Sequence, residues 1–558
     1  MEKITSFILR DLHMKRDLNV TTLVWCALFS SLWVNTSAQN ADRSTRFLSE
    51  MAPPLRMVHD EDPPNILFII VDDLSTALGA YSDSNNRPHY ASVSTPNLDK
   101  LASEGILFTN AFAQNPLCNP SRASILSGLR PDTVDVHDTS TWPRHKIGDA
   151  LRMLPEHFDD HGYFTARVGK VGHSQFEHAI SWDESKYALS RDPSQLYHPS
   201  SYLPGIDLSE VRDNTWAEGS ENGMSRQEIF AAVGGGRGLS LPLTWRATNE
   251  SPPMTPDGTT ATRVIELMAE NRDKPFFIAA GLHKPHQPWV GPVEFFNQHP
   301  VAEIVLPPIP VSDDGNTPPP ATLVLEDDAA LSQQQKKQAI AAYHAMVSMV
   351  DHHVGRLLKG LENFGLAEST IVVFTSDHGF HLNEHGGLWR KQFQYDESIR
   401  VPLIVRMPDG RNAGTVSDGI VELVDLYPTL MDLASLPDPT HDLEGTSFKP
   451  LINRPHSLWK TAAFSASRRM TDSSSSNNPL MTTEGHDGQT IRTARYRYTE
   501  WTPLGREGEV LVELYDLQRD PIEYFNIKDD PANADLVAEL SDRLATGWQG
   551  ELPPSAGN

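Results

Sequence analysis

Asn65-Ile66-Leu67-Phe68-Ile69-Ile70-Val71 is almost continuously apolar over the length of one strand, and the chain then passes straight into Asp72-Asp73. A strand whose side chains do not alternate in polarity belongs in a sheet covered on both faces. Three further candidate strands, 164–168, 276–280 and 371–375, recur between helical patterns at 95–105, 259–271 and 331–364. Alternation of this kind predicts an α/β fold with a large, mostly parallel sheet flanked by helices. From about residue 456 the pattern changes to short strands, with partial alternation over 490–499 and another run at 510–517. That change predicts a smaller C-terminal α+β subdomain with an antiparallel sheet. The polar tract Asp472–Pro479 between them reads as a surface loop.

The N-terminus carries Lys15 and Arg16 ahead of a mostly apolar run from Val20 to Val34, then Asn35-Thr36-Ser37-Ala38. Small residues in that position fit a peptidase cut after Ala38. The run is shorter than the roughly 20 residues that a spanning helix needs, so no membrane anchor is expected. The expected organisation is a signal peptide at 1–38, a linker at 39–63, a large domain at 64–455 and a subdomain at 456–558, in a secreted or periplasmic protein. With 47 Lys+Arg against 73 Asp+Glu, the net charge of −26 disfavours nucleic acid as a partner.

Beyond Cys26 in the leader, the 558-residue chain holds one cysteine, Cys118. An exported protein with one thiol cannot use it for an internal disulfide, so the thiol is inert, paired with another chain, or chemically special. Ionisable residues follow every candidate strand: Asp72 and Asp73, then Lys170 and His173, then His283, Lys284 and His286, then Asp377 and His378. Ligands of open α/β sheets bind beyond the carboxyl ends of the strands, which makes these residues candidates for one site. Three carboxylates at one edge would repel unless a cation neutralised them, and oxygen-rich ligands suggest Ca²⁺ or Mg²⁺. A helix cap is an equal reading for Asp72 or Asp73 alone. Arg122, Lys170, Lys284 and Lys391 supply positive charge suited to a tetrahedral oxyanion. His173 and His286 can exchange protons near neutral pH, whereas His283, His352, His353, His381 and His385 have weaker claims.

Cys118-Asn119-Pro120-Ser121-Arg122, followed by Ser127-Gly128, resembles the type I sulfatase signature Cys-x-Pro-Ser-Arg with Thr-Gly further on. The resemblance runs from Val71-Asp72-Asp73 through Gly169–His173, His283–Pro288 and Ser376–Gly379 to Glu384-His385-Gly386, Trp389–Lys391 and the C-terminal strands. The Lys-x-x-His spacing, the His-Lys-Pro-His run and Asp-His in place of Asp-Asn are most similar to the iduronate-2-sulfatase branch. The resemblance implies an alkaline phosphatase-like fold and a Cys118 converted to Cα-formylglycine by a separate maturation enzyme. It implies one Ca²⁺ held by Asp72, Asp73, Asp377, His378 and residue 118. It further implies that Arg122 and Lys170 hold the hydrated formylglycine, that His173 takes its proton, and that His286 and Lys391 contact the sulfate and protonate the leaving alcohol. The expected substrate is a sulfated sugar, with a 2-O-sulfated uronic acid of a polysaccharide as the narrower form.

Three places depart from the pattern: Ser127 stands for Thr, Gly386-Gly387 adds a residue before Trp389, and 485–489 differs from its counterparts. Two other readings compete. One is a phosphonate or phosphodiester hydrolase of the same superfamily, the other a non-catalytic sulfated-glycan-binding protein with an unconverted thiol.

Overall fold

The computed structural model describes residues 63–554 apart from positions 83–86, 92, 174–175, 178–179, 187–242, 244, 309–315, 323, 325 and 471–484. The expected signal peptide, nearly all of the linker and the Asp472–Pro479 loop lie outside the described residues.

The central sheet is built from β1 (Asn65–Asp72), β2 (Ile106–Phe112), β3 (Phe164–Gly169), β4 (Glu184–Lys186), β5 (Phe276–Pro285), β6 (Thr370–Ser376), β7 (Arg400–Arg406), β8 (Thr415–Ser417) and β9 (Val421–Glu422). Its order is β8-β2-β7-β6-β1-β5-β3-β4, with β9 also paired to β2. Among these strands only β7 runs against the rest, pairing antiparallel with both β2 and β6. The apolar run at 65–71 is the sheet's central strand. Its alternate residues go to opposite cores, Leu67, Ile69 and Val71 to one and Ile66, Phe68 and Ile70 to the other, all fully buried. Burying such a side chain contributes roughly 1.5–3 kcal/mol before entropy is counted, so a polar residue anywhere in this run would be costly.

Helices cover both faces. Helix α1 (Cys118–Ser127) and α4 (Leu426–Leu433) contribute Ile125, Leu126, Leu426 and Leu430 to one core. Helix α2 (Pro256–Glu270) and the long α3 (Gln333–Asn363) close the other. The start of α3 is set by a capping box: Ser332 Oγ accepts from Gln335 N at 3.3 Å, and Gln335 Oε1 accepts from Ser332 N at 3.0 Å. No helix among the described residues is long and apolar enough to cross a membrane.

A second sheet is antiparallel, in the order β10 (Ala462–Met470), β11 (Gly485–Thr493), β12 (Tyr496–Pro503) and β13 (Leu511–Asp516). Helix α5 (Ala534–Thr546) packs over it through Leu540. The 490–499 run is two strands, because the chain reverses at Ala494-Arg495. Thr493 Oγ1 accepts from Arg495 N and Tyr496 N at the turn, and Thr490 and Thr499 face each other with hydroxyls 2.8 Å apart.

Candidate active site

The parallel strands end together, and each delivers side chains to one edge. Strand β1 ends at Asp72 and continues into Asp73, which takes the left-handed conformation (φ 66°) uncommon for an aspartate. Strand β6 leads into Asp377-His378, β3 into Lys170, and β5 carries His283 ahead of His286. Gly169, at φ 83°, lets β3 approach β5, since a Cβ there would lie 2.0 Å from the Gly281 carbonyl oxygen. Cys118 is the first residue of α1, where unpaired backbone N–H groups favour negative charge.

Arg122, one turn into α1, is 1% exposed and fastens three strand ends. Its Nε donates to Asp377 Oδ2 (2.7 Å), Nη1 to the carbonyls of Lys170 (2.7 Å) and Val171 (3.0 Å), and Nη2 to Asp72 Oδ1 (3.2 Å). Lys170 Nζ donates to the other Asp72 oxygen at 2.6 Å, and His283 Nδ1 lies 3.4 Å from it. Lys391 Nζ reaches Asp73 Oδ1 at 2.5 Å and Cys118 Sγ at 3.3 Å, while His378 Nε2 is 3.3 Å from the same sulfur and 3.5 Å from Asp73 Oδ1.

Lys391 follows a hairpin that contains the inserted glycine. Strands His381–Glu384 and Leu388–Arg390 pair around Gly386 (φ 79°) and Gly387 (φ 123°), which take up the extra length in conformations open to glycine. The Ser127 hydroxyl accepts from Leu129 N at 3.1 Å, a bond that a threonine hydroxyl would also make.

Burial alone would raise the Asp72 carboxyl, but Lys170, His286, Arg122 and Lys391 outweigh it and hold the group well below the carboxylate range. Asp73 goes the other way, raised by burial and by Asp72 against the pull of Lys391. His378 is lifted to about 9: burial opposes this, and Asp377 and Cys118 overcome it. Burial, with Lys170 beside it, pushes His173 well below its ordinary value; burial and Lys391 do the same to His286. Both rings are therefore neutral at pH 7 and able to accept a proton. Among the described residues, His173 Nδ1 makes no hydrogen bond. His286 Nδ1 is 2.5 Å from the Gln287 carbonyl, which leaves Nε2 facing Asp73 Oδ2 at 4.0 Å.

Asp72, Asp73, Cys118 and His378 offer ligand atoms that all lie within 4.8 Å of one another. Among the described residues, nothing donates a hydrogen bond to Asp73 Oδ2, which is buried. Two carboxylates with a spare buried oxygen, an imidazole nitrogen and residue 118 fit a divalent cation. Asp377 stands beside this group. Its Oδ1 accepts from the backbone N–H groups of Asp73 (3.2 Å) and His378 (2.9 Å), and its Oδ2 from Arg122. Lys284 is turned away, donating to the carbonyls of His286 and Pro288, and burial lowers it to about 8.

Some supporting groups carried no sequence signal. Tyr343, inside α3, donates to the Asp73 carbonyl at 2.8 Å and accepts from Ser75 N at 2.9 Å. Asn119 Nδ2 ties the residue after Cys118 to the carbonyls of Asp138 and Thr141, both at 2.8 Å. His381, His385 and Glu397 form a separate buried group behind the Lys391 hairpin.

The fold is alkaline phosphatase-like, with parallel strands that converge on buried carboxylates, imidazoles and one thiol. Among solved structures, the phosphonate monoester hydrolase of Agrobacterium radiobacter superposes with a TM-score of 0.66 at 22% identity, over 87% of this chain and 95% of that one. The family described as Sulfatase matches residues 64–436, and the one described as N-sulphoglucosamine sulphohydrolase, C-terminal, matches 383–549. Iduronate 2-sulfatase of Homo sapiens is 33% identical, covering 86% of this chain and 94% of its own length. A sulfatase of Formosa agariphila is 30% identical, covering 83% of each. The chain belongs to the sulfatase family and is a sulfuric ester hydrolase.

Proposed function

We propose that this enzyme is an exported sulfatase that removes sulfate from a sulfated sugar, a 2-O-sulfated uronic acid in a polysaccharide being the first substrate to test. The observation that carries the chemistry is the setting of Cys118: buried at a helix N-terminus, 3.3 Å from both Lys391 Nζ and His378 Nε2, against two carboxylates. An inert thiol needs none of these partners. As Cα-formylglycine, residue 118 would offer a hydrated aldehyde whose second hydroxyl lets sulfate be expelled without a second nucleophile. The relatives named above support the substrate class.

Each side chain then has a role. Asp72, Asp73, Asp377, His378 and residue 118 would hold Ca²⁺, Asp377 also accepting from Arg122. The metal, when bound, supplies Lewis-acid polarisation of the sulfate oxygens. Arg122 and Lys170 fix the Asp72 carboxylate and orient residue 118. Neutral His173 accepts the proton of the residue-118 hydroxyl. Lys391, held protonated by Asp73, and His286, once Nε2 takes up a proton beside the sulfate anion, contact the sulfate and protonate the leaving alcohol. The organisation proposed with this reading is a signal peptide at 1–38, a linker at 39–63, a catalytic domain at 64–455 and a C-terminal subdomain at 456–558.

The test is mass spectrometry of the peptide containing residue 118, from protein made alongside a formylglycine-generating enzyme, paired with release of sulfate from defined sulfated disaccharides. An aldehyde or its hydrate, with sulfate release that Cys118→Ala abolishes, is the expected result. A fully retained thiol in protein that still turns over would overturn the mechanism, and sulfate release confined to non-sugar esters would overturn the substrate.

A further inference from the structure

A cavity of about 500 Å³ lies between the central sheet and the turn that joins β11 to β12, and four arginines line it: Arg87, Arg400, Arg492 and Arg495. In a chain of net charge −26, such a concentration of guanidinium groups around one space is unexpected. One carboxylate, Asp396, is part of the same lining. That carboxylate is already engaged by Arg492 (3.1 Å to each oxygen) and by Arg497. Arg400 Nε donates to the Thr109 carbonyl at 2.7 Å, and burial holds Arg400 below its ordinary value although Asp396 faces it. Arg495 forms a two-pronged pair with Asp516 at the rim, at 2.9 and 2.7 Å, and stays partly exposed. Strand β2 is buried along its length except at Thr109 and Asn110, two half-buried polar residues that also line this cavity. None of Asp72, Asp73, Cys118 and His378 borders it.

We propose that this cavity is a second oxyanion-binding site, distinct from the catalytic cluster, whose occupant presents a sulfate or carboxylate group to Arg400, Arg492 and Arg495. A guanidinium carries five N–H donors, so Arg492 and Arg495 keep donors beyond those given to Asp396, the Thr493 carbonyl and Asp516, and partial enclosure strengthens each charge-assisted bond to an anion relative to one on an open surface. Two sources share that chemistry: free inorganic sulfate, which the reaction releases, and a further anionic group on a long sulfated glycan. The site itself does not depend on how residue 118 works.

Equilibrium dialysis of the full-length protein against radiolabelled inorganic sulfate tests the proposal. Two saturable classes of site are expected, one removed by Lys391→Ala and the other weakened at least ten-fold by Arg495→Ala. Arg495→Ala should leave turnover of a small sulfate ester within two-fold of wild type. Thr109→Glu, which would place a carboxylate inside the cavity, should abolish the second class, and it serves as an independent variant should loss of the Arg495–Asp516 pair disturb folding. In the Lys391→Ala background, displacement of the label by a sulfated tetrasaccharide would assign the site to glycan, and no displacement would assign it to free sulfate. A single class of site, or a second class unchanged by both Arg495→Ala and Thr109→Glu, would overturn the proposal.

Discussion

Replacing Glu422 by glutamine should cost about 2–3 kcal/mol of stability at pH 7, an amount that follows from how its carboxylate is held. Glu422 closes β9 and is 1% exposed. Arg130 grips it with two bonds of 2.8 Å, Lys460 Nζ donates at 2.9 Å and Phe464 N at 2.9 Å. Burial raises the carboxyl, yet Arg130 and Lys460 bring it from 4.5 down to about 2. At ~1.36 kcal/mol per pH unit that difference amounts to about 3.4 kcal/mol. Asp425, which shares Lys460 and is pushed above its ordinary value by burial, offsets part of this. A folded-state value depressed below the unfolded one gives stability that is complete above about pH 4.5 and is lost as pH falls through about 2. By pH 3 the same linkage leaves about 1.4 kcal/mol, so the gap between wild type and Glu422→Gln should shrink by more than half. Urea unfolding followed by tryptophan fluorescence at pH 7 and pH 3 measures it. A gap under 0.5 kcal/mol at pH 7, or one that does not narrow at pH 3, would refute the reasoning; both thresholds are set at about the size of an ordinary surface substitution. Gln114, at the head of the segment leading to Cys118, donates to Glu422 at 3.4 Å and accepts from Val424 N at 2.8 Å, so this network also steadies the approach to the nucleophile.

Chelation should abolish turnover and added Ca²⁺ should restore it; in Asp73→Asn, which removes the charge but keeps the shape, restoration should need far more Ca²⁺, read from the titration midpoint. Lys391→Ala should lower kcat by roughly 10²–10³-fold, the size of one lost transition-state donor, and raise KM for a small ester as well, because the same ammonium holds the sulfate group. Gly169→Ala should lower stability and activity together, because its Cβ would collide with the Gly281 carbonyl in the segment that positions Lys170, and thermal unfolding with parallel kinetics reads both.

Much of this architecture was legible because burial on both faces writes itself into sequence as unbroken apolar strands. The strands that escaped notice broke that signal for identifiable reasons. Pro402 interrupts β7, yet it sits where the ladder to β2 slips register between Val401 and Leu403, a place where a missing N–H costs little. Thr109-Asn110 interrupts β2 because these half-buried side chains serve backbone carbonyls, Thr109 Oγ1 donating to Ser417 at 3.3 Å and Asn110 Nδ2 to Asp418 at 2.8 Å. At the site, strand ends identified which residues converge but not which way a carboxylate turns. Asp377 is expected among the metal ligands, and its oxygens also accept from Arg122 and two backbone N–H groups, so each would serve two partners at once. Spacing along a chain carries no information on that rotation.

The same geometry explains why carboxylates and cationic side chains can share a buried edge: Asp72, Asp73 and Asp377 lie directly against Arg122, Lys170 and Lys391. Of the three cations, Arg122 is fixed by two carbonyls besides its carboxylates, whereas Lys391 is held by Asp73 and the residue-118 sulfur alone among the described contacts. It is also carried on a glycine-containing hairpin between left-handed Arg390 and Gln392. The Lys391 ammonium therefore has the least to lose by moving, which suits it to follow a leaving oxygen, while Arg122 is suited to stay where it is.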